Sequence, residues 1–306
     1  VGALKQASVR VPASTSNLGA GFDCIGLALD RYLTAEYTPG PGTTLAIERR
    51  GTLRGLDARP PAHDLFITAF RGALSARGHR DLGGTLVVDS EIPVARGLGS
   101  SAVAVVGGAA LGMTVAGGGL DIPRILSDAE RAEGHLDNAA PALLGGLVGV
   151  AHGRPFALPL SPAFAFVFAA PGYELSTARA RAALPATIPH AEAARALGRV
   201  AALIRSLETG DPELLALGLD DTLHVPYRLP LIPGGRDVVA AGRRAGAYGV
   251  TVSGAGSGLL AITPPERADD VVAAMAEAFR FGAGPEGVVA FEVKPDREGV
   301  RTGTRD

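Results

Sequence analysis

The stretch Pro93-Val94-Ala95-Arg96-Gly97-Leu98-Gly99-Ser100-Ser101-Ala102 separates a β-rich run ending near Val88 from a helical run starting near Ala102. No other stretch restricts the fold so strongly. Strand, glycine turn and helix N-terminus together make an anion site. Gly97 and Gly99 let the backbone come close to a ligand, successive N–H groups point inward, and the helix dipole favours negative charge. Ser100 and Ser101 add hydroxyls that can cap the helix, bind a phosphate oxygen or reach a metal ion. Two other readings use the same letters. A capped helix needs glycine only for its turn. Gly97-x-Gly99-x-x-Ala102 also satisfies the dinucleotide fingerprint, with Asp121 about where a ribose-binding acid belongs; yet Asp121 follows Gly117-Gly118-Gly119-Leu120 instead of ending a second apolar strand.

Composition narrows the ligand. The 306 residues are 47% hydrophobic and 20% charged with a net charge of −2, which describes a packed chain with no global field for a polyanion. Small-molecule partners are therefore expected, with no nucleic-acid and no membrane partner; a homodimer is compatible with the sequence. The single cysteine, Cys24, excludes an intrachain disulfide and a cysteine-built metal cage. Lys5 and Lys294 are the only lysines, and neither follows glycine and precedes Ser or Thr, so a Walker-type loop is absent. Val1 to Ser14 contains no apolar signal core, and the expected location is cytoplasmic. Ala102 to Leu120 carries no charge over a membrane-spanning length, but its glycines dilute it, and a buried helix ending in a glycine turn is expected.

Periodicity predicts strands over 8–11, 32–37, 44–48, 85–88, 164–170, 249–252, 259–263 and 288–293. Helices are predicted over 64–76, 123–133, 178–184, 190–207, 236–247 and 268–279. Phe66, Phe70 and Leu74 form a core-facing stripe. Strands and helices mix without strict βαβ repetition, so the class is α+β. A cluster of Gly153, Pro155, Pro159 and Pro162 marks a boundary between domains at 1–157 and 158–306, and the tail from Asp296 to Asp306 reads as frayed.

Two further stretches concentrate polar groups. Pro12-Ala13-Ser14-Thr15-Ser16-Asn17-Leu18-Gly19-Ala20-Gly21-Phe22-Asp23 follows a strand and reads as a loop able to hold a polar ligand, or as an Asn/Asp turn. Glu133-Gly134-His135-Leu136-Asp137-Asn138 ends a helix in a burst of ionisable groups, where Glu133 could supply a hard oxygen to Mg²⁺ or simply be solvated.

Taken in order, these stretches resemble the GHMP small-molecule kinases, over almost the whole chain. A late glycine loop, Val252-Ser253-Gly254-Ala255-Gly256-Ser257-Gly258, adds to the match. The histidine run, Ser176-Thr177-x-x-x-Arg181 and Pro226-Tyr227-Arg228 resemble the homoserine kinase family within it. The resemblance implies a two-domain α+β architecture, with an N-terminal phosphate-loop domain and a ferredoxin-like C-terminal domain. It implies ATP in the loop Pro93, Val94, Ala95, Arg96, Gly97, Leu98, Gly99, Ser100, Ser101, Ala102 and Val103, and Mg²⁺ on Ser100 and Glu133. L-homoserine would lie between Asn17, Asp23, His135, Asn138, Arg181 and Arg228. The implied activity is ATP-dependent phosphorylation of its hydroxyl on the way to threonine, with Asp23 and Asn138 as the catalytic candidates. In that scheme the two arginines grip the α-carboxylate, Asp23 meets the ammonium and Asn138 orients the hydroxyl, while the role of general base stays open. A GHMP kinase acting on a sugar or isoprenoid alcohol would keep the loop without needing the arginines, and a dinucleotide-dependent oxidoreductase is the remaining rival. The sequence departs from the family at Ala20 and Leu136, where proline is usual, and at Asp64, where an asparagine often meets adenine; an ionised aspartate accepts hydrogen bonds but donates none.

Overall fold

Residues 3–56, 64–79 and 82–305 are described by a computed structural model. The first pass of the chain comprises β1 (Gln6–Asn17), β2 (Gly21–Pro39), β3 (Leu45–Gly51), α1 (Leu65–Ser75), β4 (Gly84–Ser90), α2 (Ser100–Val115), α3 (Ile122–Glu133), α4 (Ala139–Leu144), β5 (Leu147–Ala151) and β6 (Arg154–Leu158). The second comprises β7 (Ala165–Ala170), α5 (Thr177–Ala182), α6 (His190–Thr209), α7 (Pro212–Leu219), α8 (Val225–Arg228), α9 (Gly235–Arg244), β8 (Gly249–Val252), β9 (Leu259–Thr263), α10 (Ala268–Ala283), β10 (Val289–Val293) and β11 (Arg301–Arg305).

The first sheet runs β11-β1-β2-β4-β3, with β5 pairing β2 and β6 pairing β5; only β3 and β4 are parallel. The polar stretch expected as a loop is strand almost throughout, since Pro12–Asn17 belongs to β1 and Gly21 already opens β2. Ser14, Thr15 and Ser16 are buried and hydrogen-bonded there, so their polarity serves an internal junction and does not signal solvent. Register shifts at Pro12/Ala13 and Ser16/Asn17 re-aim the side chains towards that junction. The tail also departs from expectation. It returns as β11, antiparallel to β1, and Asp296 anchors it by accepting the N–H groups of Glu298 and Gly299.

Against this sheet α2 is buried along nearly its full length, with the Phe66–Phe70–Leu74 stripe of α1 packed beside it. Gly108 permits that approach, because a Cβ there would collide with the Phe66 carbonyl. Among the described residues no helix is long and apolar enough to cross a membrane. Asp121 caps α3, accepting the Arg124 N–H at 3.1 Å, and no strand precedes it after α2. A dinucleotide site would require that strand.

The second sheet has the order β10-β7-β9-β8 and is antiparallel throughout. In chain order its strands are the first, second, third and fourth of a β-α-β-β-α-β unit, which is the ferredoxin-like arrangement. Both faces are covered, and that explains the continuous apolar run 164–170. Phe166 and Phe168 join the core shared with the first sheet, whereas Ala165, Val167 and Ala169 pack in the core of α9 and α10 with Val238, Val271, Met275 and Phe279.

Candidate active site

A cleft of about 330 Å³ runs from the first sheet to the junction with the second. One end is apolar, lined by Leu33, Ile47, Leu53, Phe66, Val88 and Ile92; the other is lined by Asp23, His135, Asp137, Asn138, Arg181 and Arg228. The turn before α2 separates the two.

That turn is held by backbone and hydroxyls. Gly99, at φ 65°, is the N-cap of α2 and supplies no side chain to cap it, so the first-turn N–H groups keep their hydrogen-bonding capacity for a ligand. Ser100 and Ser101 do not cap the helix either. The Ser100 Oγ accepts the Ala95 N–H at 3.3 Å, and the Ser101 Oγ donates to Glu133 at 2.8 Å. A Cβ on Gly99 would strike the Ser14 hydroxyl and come within 2.9 Å of the Asn138 Oδ1. From the other domain, the Ser253 Oγ donates to the Gly97 carbonyl at 2.6 Å and Gly258 N–H donates to the Arg96 carbonyl at 3.0 Å. Arg96 reaches back to the carbonyls of Gly287 and Gly172. The glycine turn before α2 and the late glycine loop therefore brace each other.

Charge gathers at the polar end. Arg181 donates through both terminal nitrogens to Asp23, at 2.8 and 2.9 Å, in a bidentate pair. Arg228 is 2% exposed; its Nη1 donates to the Gly254 carbonyl at 2.9 Å, and its Nε is buried without a partner. Burial, helped by the nearby Arg181 charge, pulls its pKa below the usual arginine value. His135 Nδ1 bonds Asp137, and its buried Nε2 has no partner. Burial opposes the charge on His135, but the bond and attraction to Asp137 outweigh it and raise the pKa. Cys24, nearby on β2, is pushed up to about 11 by burial, then by Asp137 and Asp23, and stays a thiol.

Residues 64–146 match the family model of the GHMP kinases N terminal domain and residues 201–280 that of the GHMP kinases C terminal domain. A homoserine kinase of Gloeobacter violaceus is 43% identical over 279 residues, covering 89% of this chain and 92% of its own length. The homoserine kinase of Thermus thermophilus is 38% identical over 279 residues, covering 90% and 92%. This chain belongs to the homoserine kinase family. The crystal structure of homoserine kinase from Cytophaga hutchinsonii superposes with a TM-score of 0.85 at 26% identity, over 97% of both chains. A mevalonate kinase structure, TM-score 0.70 at 14% identity, shares the fold.

Within the homoserine kinase cleft the expected residues hold each other as much as they face a ligand. Asp23 and Arg181, expected to meet opposite ends of a substrate, are paired with one another. Asn17 spans two elements: its Nδ2 donates to the Gly254 carbonyl at 2.9 Å and its Oδ1 accepts the Asp23 N–H at 3.0 Å. Asn17, Leu18, Asp23 and Ala95 all have positive φ, a backbone strain that marks this junction. Asn138 is gripped by Ser14 and Ser16, at 3.1 and 2.9 Å. Glu133 is bonded to Ser101, the neighbour of Ser100. Asp64, at the apolar end, caps α1 through Oδ1 and pairs with Arg49 through Oδ2 at 2.7 Å. Ser14, Ser16 and Ser253 carried no assigned role in the sequence, although each sits inside a stretch that contains glycines.

Proposed function

We propose that this cleft transfers the γ-phosphoryl group of ATP to the side-chain hydroxyl of L-homoserine, giving O-phospho-L-homoserine for threonine biosynthesis. The observation that carries the reading is the polar end of the cleft: two guanidiniums, one bidentate on a carboxylate and one buried with a spare donor, lie within one pocket that also takes in an uncapped helix N-terminus. A zwitterionic amino acid fits that set. Its ammonium competes for Asp23, its carboxylate takes the donors of Arg181 and Arg228, and the Asp23–Arg181 pair opens to receive both charges. In this reading residues 1–157 form the phosphate-loop domain and 158–306 the domain that completes the cleft.

ATP binds with its base among Ile47, Leu53 and Phe66 and its phosphates on the turn from Pro93 to Val103, where the α2 dipole and free N–H groups face negative charge. Ser100 and Glu133 line the same cleft and offer a hydroxyl and a carboxylate, the hard oxygens that suit Mg²⁺. Bound there, the ion would neutralise charge on the β- and γ-phosphates. The chain's own part is orientation. Ser14 and Ser16 fix Asn138 against Gly99, so the group that orients the acceptor hydroxyl and the turn that holds the donor phosphates move as one. Asp23 is engaged by charge, and the cleft assigns no side chain as a dedicated base.

The test is a coupled assay of purified protein with Mg²⁺ and ATP against homoserine, 3-aminopropanol, mevalonate and a panel of hexoses. Homoserine should be phosphorylated with a kcat/KM at least about a hundredfold above 3-aminopropanol, which lacks only the carboxylate. Equal turnover of the two, or preference for mevalonate or a sugar, would overturn the assignment. A divalent chelator should abolish activity, and Mg²⁺ should restore it.

A further inference from the structure

Phe22, the second residue of β2 and next to Asp23, is half-buried and meets three groups at the substrate end. Its ring stacks on His224, with centroids 5.2 Å apart and planes 19° from parallel. The guanidinium carbons of Arg228 and Arg181 lie 5.0 and 5.9 Å from its centroid. These two arginines are unequally provided for. Arg181 has the Asp23 carboxylate, whereas Arg228, almost wholly buried, has one backbone carbonyl and an Nε with no partner. A buried cation next to a like charge needs negative potential; the charges of Asp23, Asp137 and Asp221 supply part of it, and the face of the aromatic ring adds to it through its quadrupole.

The ring is itself held from behind. His224 Nε2 donates to the Gly19 carbonyl at 2.9 Å, which fixes the imidazole against the turn between β1 and β2. Asp221 accepts the backbone N–H groups of His224 and Val225, at 2.8 and 2.7 Å, and so sets the start of α8, which carries Arg228 four residues on. One aromatic stack thus links the β1–β2 turn to the helix that presents the arginine.

The geometry points to Phe22 as a positioning residue for substrate choice, its ring holding the Arg228 guanidinium where the α-carboxylate of the acceptor is read. It rests on the role given to Arg228 above, and it adds a determinant that acts through the arginine without touching phosphoryl groups. A leucine at this position keeps much of the apolar bulk and loses the π face; a tyrosine keeps the π face.

The experiment measures kcat/KM for homoserine and for 3-aminopropanol, at saturating Mg²⁺-ATP, in the wild type, Phe22→Leu and Phe22→Tyr. Phe22→Leu should lower the homoserine-to-aminopropanol ratio about tenfold, mainly through KM for homoserine, while Phe22→Tyr stays within about threefold of wild type. A leucine variant that keeps the wild-type ratio, or loses both substrates equally, overturns the positioning role, as does a tyrosine variant that loses as much as leucine. A wild type that does not prefer homoserine overturns the underlying substrate assignment, and with it this one; the two failures are read from different proteins.

Discussion

At the proposed phosphate end of the cleft the chain presents backbone, and at the proposed substrate end it presents charge. In the proposed reading the phosphate turn lies in one short segment, and its binding groups are the N–H donors positioned by Gly97 and Gly99, with no lysine among them. The substrate end draws Asp23 from β2, His135 from the stretch after α3, Arg181 from α5 and Arg228 from α8. Backbone donors cannot be traded for one another, whereas a charged side chain can be removed while the chain path stays intact. The phosphate end should therefore fail completely under small changes and the substrate end by increments.

The largest effect is expected at Gly99. Replacing it with alanine puts a Cβ against Ser14 and Asn138 at a positive φ, displacing the turn and the acceptor-orienting amide together. We expect kcat/KM for ATP to fall at least about a hundredfold in a protein that still folds by circular dichroism. An alanine variant of near wild-type activity would erase the distinction between the two ends. Next is Glu133→Gln. Loss of the carboxylate charge should lower kcat by roughly a hundredfold or more while calorimetry shows a much smaller loss of ATP affinity, because the charge acts on the transition state. An unchanged kcat would remove Glu133 from the metal site.

Smaller effects come from groups that support either end without contacting the reaction. Asp64→Asn keeps an N-cap for α1 and gives up the ion pair with Arg49; the expected result is a loss of about 1 kcal/mol in stability and a KM for ATP within about threefold. A tenfold rise in KM for ATP would mean that the carboxylate reads the base directly. His224 gives the smallest and most conditional effect. Burial holds its folded pKa below the ordinary 6.5, so the unfolded chain binds the extra proton, and the stability it contributes is present above about pH 6.5 and lost as pH falls. The urea midpoint of the wild type should thus drop more between pH 7.5 and 5.5 than that of His224→Gln. Equal drops would place acid sensitivity elsewhere.

The same contrast decides what could be read from the letters. The glycine turn and α2 were legible because local spacing specifies them, through glycine positions and an uncharged helix; spacing also predicted strands and helices in the second half, but their ferredoxin-like arrangement came through the family resemblance. The hydroxyl-rich stretch of β1 was misread as a loop because Ser14, Thr15 and Ser16 find partners at Asn138 and Ser253, more than a hundred residues away. The tail was misread for a related reason, since β11 exists only because β1 offers it an edge. At the substrate end the arginines were found through family resemblance; their pairing was not, because the Asp23–Arg181 contact spans 158 residues and leaves no periodic trace. Nor did any spacing indicate that Phe22 would lie between His224 and two guanidiniums.

The claim that charge at one end of the cleft reads an amino acid, while backbone at the other holds ATP, is tested most directly by Arg228→Ala. Steady-state kinetics of the wild type and this variant would be compared for homoserine and 3-aminopropanol, with KM for ATP measured in parallel. Charge-assisted hydrogen bonds to a carboxylate contribute about 1.5 to 3 kcal/mol, so the variant should lose roughly ten- to a hundredfold in kcat/KM for homoserine and much less for 3-aminopropanol, with KM for ATP changed no more than a few-fold. If Arg228→Ala keeps the wild-type ratio between the two substrates, the buried arginine is only part of the scaffold, and the account of the substrate end is wrong.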